Sequence, residues 1–172
     1  LVLNGEAFVS SVGPNGKLVT RTGSDADIGA ALLITADVPR WQALRLDAPV
    51  DAAHFDTAIR DAASRAGVDL HAPFPFVVSA SVTALEGHVI HGACPTAGGG
   101  DAAHEPFRLK LTDGQEVTLV GIYAENAAGV ITHHDSKSHV HVLTRGGDSV
   151  VAHVDKVSLR PGASLKLPVA TR

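Results

Sequence analysis

Short apolar, β-branched runs alternate with glycine-rich or polar punctuation along the chain, and one stretch keeps a helical period. The opening LVLNGEAFVSSV alternates as a strand, GPNG at 13–16 signals a turn and KLVT returns, so residues 1–20 read as a hairpin. Ala30–Ala36 (AALLITA) is a nearly continuous apolar run, as in a buried strand. Residues 51–67 predict a helix. Asp51 is its N-cap, Phe55, Ile59 and Ala62 or Ala63 form the apolar stripe, and Gly67 terminates it. PFPFVVSASVTALEGHVI at 73–90 then reads as one long strand, or two joined near Leu85–Gly87.

Residues 95–104 (PTAGGGDAAH) have no period and form a connector. Beyond it come strand patterns at 107–112, 115–124, 129–132, 138–144, 149–159 and 163–168, punctuated by DG at 113–114, GGD at 146–148 and RPG at 160–162. Short turns between strands favour antiparallel pairing. The fold class expected is α+β, with predominantly antiparallel or mixed sheets and one main helix. Residues 1–172 are expected to form a single domain, with lobes 1–94 and 105–172 joined by the connector.

Composition narrows the function. The chain has 172 residues, 45% of them hydrophobic, which excludes a disordered chain. A net charge of −4 lacks the basic footprint of a nucleic-acid binder. No apolar run approaches the roughly 18 residues of a membrane span. One cysteine, Cys94, cannot form an intrachain disulfide or a cysteine-rich zinc site, and no nearby base motif makes it a nucleophile. The GGG at 98–100 lacks the strand, helix and lysine of a phosphate loop. Methionine is absent even at position 1, so the chain reads as a processed or trimmed product, with cytoplasmic and exported locations both open.

Histidine is the surplus. Ten are present, and His133, His134, His139, His141 and His153 fall close together. His139 and His141 are two apart in a strand pattern, so their imidazoles leave from the same face. The next strand carries His153 and Asp155. An odd loop centred on Gly147 makes opposed residues sum to 294, setting His141 against His153 and His139 against Asp155; a slip of one residue would send His153 to the other face. Three converging imidazoles with an open fourth position suit a catalytic zinc site, and also Mn, Fe, Ni or Cu. The plain alternative is a polar strand face decorated with histidines. His133 and His134 sit in a polar approach, as ligands, substrate contacts, proton shuttles or solvated loop residues. Asp155 is a ligand, an acceptor orienting an imidazole, a proton carrier or a surface carboxylate.

These residues resemble the α-acetolactate decarboxylases, metal-dependent lyases that form acetoin from 2-acetolactate. LVLNGEAF is similar to the family's early strand with its Asn–Gly turn. PFPFVVSASVTALEGHVIHGACP is similar to its central strand pair, and VTLVGIYAENAAGVITHHDSKSHVHVLT with AHVDKVSL to its HxH and following His strands. The HxH followed about a dozen residues later by a third histidine is the specific part. The resemblance implies zinc held by His139, His141 and His153, mixed sheets in two lobes, and a homodimer. It implies a 2-hydroxy-3-keto acid as substrate, chelated through its carbonyl and hydroxyl, with the metal stabilising an enediolate as carbon dioxide leaves. His91, His134 and Asp155 are then the candidate proton donors.

The sequence also departs from the family pattern. His141 to His153 is one residue longer, and His88 or His91 stands where the family has an arginine. The family's two glutamates fall at or before Leu1 and beyond the C-terminal Leu–Pro. A non-catalytic metal- or small-ligand-binding relative therefore stays open, as does a metal-dependent hydrolase or isomerase.

Overall fold

A computed structural model describes residues 1–13, 15–23, 34–90, 106–127, 129–132, 135–145 and 149–169. Strands β1 (Val2–Leu3), β2 (Glu6–Val12) and β3 (Leu18–Thr22) form a small sheet in that order. The expected hairpin is there as the β2–β3 pair, with Phe8 opposite Thr22 and Val12 opposite Leu18. The structure corrects one detail, because LVLNGEAFVSSV is not a single strand. Asn4 and Gly5 take φ of +53° and +81°, and this Asn–Gly turn folds β1 back on β2.

The larger sheet holds β4 (Trp41–Leu46), β5 (Phe74–Val89), β6 (Phe107–Leu111), β7 (Glu116–Tyr123), β8 (Ser138–Thr144), β9 (Val151–Leu159) and β10 (Ala163–Pro168). Its organising element is β5, which is long enough to serve two neighbours on each edge. One edge takes β7 along Phe74–Ser81 and β6 along Leu85–Val89. The other takes β10 at Val77–Ser79 and β9 from Val82 to His88. Because β7 pairs with β8 and β8 with β9, the ladder returns to β5 and closes into a small barrel. Closure removes exposed edges from these strands. All of these pairings are antiparallel, and with one helix the architecture is the α+β class the pattern predicts.

Alternation fills the interior. Val117, Leu119 and Tyr123 of β7 and Val140 and Val142 of β8 are buried with Phe76, Val78, Val82 and Leu85 of β5. Gly121 lies directly under Phe76, where a Cβ would stand 2.4 Å from the ring. The helix, α1 (Phe55–Arg65), follows a 3₁₀ turn at Ala52–His54 that Asp51 caps through the His54 amide at 3.0 Å. Phe55, Ile59, Ala62 and Ala63 are its buried stripe, as expected. Gly67 ends it at φ +74°, with Gly67 N–H donating to Ser64 and Val68 N–H to Ala63, a Schellman closure.

One strand expectation fails. Residues 129–132 are a turn, not a strand: Gly129 has φ +77°, its amide donates to the Thr132 carbonyl at 2.8 Å, and Ile131 donates back to Ala127. Residues 30–33 of the Ala30–Ala36 run lie outside the described residues, as does the 95–104 connector, and 34–36 form no strand. Strand β4 follows at Trp41–Leu46, paired with β10 along its whole length. No helix among the described residues is long and apolar enough to cross a membrane.

Candidate metal centre

Strand β8 places the first two histidines by simple alternation. Ser138, Val140 and Val142 turn into the core, so His139 and His141 leave from the opposite face, half-buried. Strand β9 brings the third. His141 is opposite His153, Val142 opposite Ala152 and Leu143 opposite Val151, the 294-sum register that an odd loop requires.

The three rings converge. Centroids are 5.1 Å apart for His139 and His141, 4.8 Å for His139 and His153, and 5.4 Å for His141 and His153. One ligand-capable nitrogen from each lies within 4.8 Å of the others. The carbonyl of Ile131 accepts from His139 Nδ1 at 2.9 Å, which fixes the tautomer and leaves Nε2 facing His141 Nε2 at 3.0 Å. Burial, then the charge of His139, pushes His141 down to about 4, so this imidazole is neutral at neutral pH. Three imidazoles gathered around one point, with no carboxylate in the group, match the donor set of zinc and the later first-row divalent metals.

The carbonyl that aims His139 is itself anchored. Asp56 on α1 accepts from Lys137 N–H at 2.7 Å, from Ser136 Oγ at 3.1 Å and from Ser138 Oγ. Thr132 Oγ1 donates to the Ser136 carbonyl at 2.6 Å, tying in the turn that carries Ile131. On the other side Glu125 accepts from Tyr123 OH and Lys137 Nζ. These partners hold the Glu125 carboxyl below the usual carboxylate range, while burial, then Glu125, pushes Tyr123 up. The sequence carries little sign of this network, because Asp56, Glu125 and Ser136 are polar residues without a motif.

Asp155 is not where strict alternation puts it. Pairing between β8 and β9 stops at His141–His153, and β9 passes to β5 with His88 opposite His153. Gly87 then pairs with Val154 and Glu86 with Lys156, so Asp155 is the extra residue of a bulge. Its Oδ1 accepts from His88 Nδ1 at 2.8 Å instead of facing His139. His88 is thus brought to the centre, its ring 5.0 Å from that of His153. The alternation of β5 was the available signal, but only the β5–β9 pairing shows where His88 goes. His91, His133, His134 and Cys94 lie outside the described residues.

No protein-family model matches the sequence, and no curated protein matches it. Solved structures share its fold. The alpha-acetolactate decarboxylase of Bacillus subtilis strain 168 aligns with a TM-score of 0.56 and 12% identity, over 78% of this chain and 53% of that one. The acetolactate decarboxylase of Bacillus subtilis subspecies spizizenii gives 0.56 and 13%, over 78% and 54%. A Staphylococcus aureus protein of unknown function, similar to alpha-acetolactate decarboxylase, gives 0.57 and 6%, over 96% and 65%. The fold is therefore acetolactate decarboxylase-like, and the chain spans about half the length of the two Bacillus enzymes.

Proposed function

We propose that His139, His141 and His153 hold a divalent transition metal, zinc first, and that the protein is a metal-dependent lyase of the acetolactate decarboxylase type. The convergence of three ligand nitrogens within 4.8 Å carries this reading. A metal held there would supply Lewis acidity to the carbonyl and hydroxyl oxygens of a 2-hydroxy-3-keto acid such as 2-acetolactate. The chain's own part is to present three imidazoles: Ile131 orients His139, burial keeps His141 unprotonated, and β9 supplies His153. Asp155 holds the proton of His88 Nδ1 at the edge of the site.

The test has two stages. After zinc loading, elemental analysis of the purified protein should give stoichiometric metal, lost in His139→Ala and His153→Ala. The loaded protein should then release acetoin and carbon dioxide from 2-acetolactate, and a chelator should stop it. Failure to retain metal overturns the whole reading. A full metal complement without turnover overturns the lyase alone and leaves a metal- or small-ligand-binding relative.

A further inference from the structure

The third histidine of the centre stands on a less continuous ladder than the other two. His139 and His141 belong to β8, which pairs with β7 along all seven of its residues. Strand β9 meets β8 at three positions, His141–His153, Val142–Ala152 and Leu143–Val151. On its other edge β9 first meets β5 at His153, opposite His88, so β5 offers no partner to Val151. Two residues beyond His153 the strand bulges at Asp155. His153 therefore needs a fixed point on its N-terminal side.

Ser10 supplies that point. Backbone groups in an antiparallel ladder alternate between its two edges, and the Thr144 amide donates to the Val150 carbonyl at 3.0 Å, so the Val151 amide points away from β8. It donates to Ser10 Oγ of β2 at 2.8 Å, across 141 positions of sequence. Ser10 is itself held, because it lies opposite Thr20 of β3 and the two hydroxyls share a hydrogen bond of 2.7 Å. A hydroxyl has one proton and two lone pairs, so whichever of the two donates, Ser10 keeps a lone pair for Val151. Val151 is buried, where an amide deprived of its acceptor is costly. The small sheet is thereby joined to the strand of the third histidine, two residues before it.

We propose that Ser10 is a positioning residue of the metal centre: its hydroxyl fixes the edge of β9 at Val151 and so holds His153 where it can share a metal with His139 and His141. This rests on the metal reading above and adds the residue that sets where the third ligand stands. Val151 and His153 leave the same face of β9 about 7 Å apart, close enough for a displacement at one to move the other. Ser10 acts through the β9 backbone. Without it the short β8–β9 ladder is free to open at Val151, and the three ligand nitrogens, now within 4.8 Å of one another, lose their common point.

Threonine and valine share a shape and differ by one hydroxyl, so Ser10→Thr and Ser10→Val separate the hydrogen bond from the space around it. Both residue types suit a strand. Zinc affinity is read by competition with a chelator, on protein whose cooperative unfolding in urea shows it folded. Ser10→Thr should bind zinc within about threefold of wild type and Ser10→Val about tenfold more weakly, the scale on which groups supporting a ligand act. Ser11→Ala, on the same strand but with its side chain on the other face, should bind zinc as wild type does. A second readout needs no metal. In zinc-free protein the Val151 amide should exchange slowly in wild type and Ser10→Thr, and about tenfold faster in Ser10→Val. Equal zinc affinity in Ser10→Thr and Ser10→Val would overturn the proposal, as would unchanged Val151 exchange in Ser10→Val. So would a loss in Ser11→Ala as large as that in Ser10→Val, which would make the effect one of general destabilisation. These results in a wild type that binds zinc overturn this inference alone, whereas wild type without zinc overturns the metal reading beneath it.

Discussion

Gly87 of β5 runs so close to His153 of β9 that a Cβ at position 87 would stand 2.4 Å from the His153 carbonyl oxygen. The obstacle is backbone, so it cannot rotate aside. Gly87→Ala should push β9 away from β5, costing about 1–3 kcal/mol of stability as an overpacked site does. Because His153 rides on the displaced strand, zinc affinity should fall as well. Urea unfolding and a zinc titration of the same variant check both.

The three histidines predict a metal-dependent stability. A ligand that binds only the folded state stabilises it by about 2.7 kcal/mol at a hundredfold excess over Kd. Thermal melts of wild type should therefore shift up with added zinc, and His139→Ala, His141→Ala and His153→Ala should each abolish the shift. A zinc response that survives all three substitutions would place the metal elsewhere.

Asp56 holds the segment that aims His139. It accepts from Lys137, Ser136 and Ser138, and Asp56→Ala leaves those donors without their carboxylate. The expected cost is about 1–3 kcal/mol. The further expectation is weaker zinc binding by protein that is still folded, because the turn presenting the Ile131 carbonyl loses its tie to α1. Denaturant titration alongside zinc titration separates the two effects.

Glu125 sets part of the acid limb. Hydrogen bonds from Lys137 and Tyr123 hold its folded carboxyl below the ordinary glutamate range. A depressed carboxylate stabilises fully above its unfolded value, and that contribution disappears as pH falls through the lowered folded value. Glu125→Gln should lower stability at neutral pH, and the variant and wild type should converge in acid. Urea midpoints from pH 7 downward check the sign.

How much of this was legible beforehand follows from the range of each interaction. The helix at 51–67 and the pairing of His141 with His153 depend on local period and loop parity, both of which a linear pattern carries. β4 was missed because Trp41–Leu46 mixes half-buried and exposed positions along its ladder with β10. The 129–132 segment misled because apolar Val130 and Ile131 imitate a strand, while Gly129 at positive φ makes a turn.

By itself the sequence determined the alternation of β8, and hence that His139 and His141 share a face. Side-chain direction in a strand reverses at every residue whatever surrounds it. Tertiary structure alone decided where that face leads. β5 closed the barrel against β9, the bulge moved Asp155 from His139 to His88, and α1 clamped the turn that orients His139. Those outcomes depend on contacts between residues 65 to 82 positions apart. A periodic pattern holds no information at that separation, because register across distant strands is set by packing and not by the chain between them.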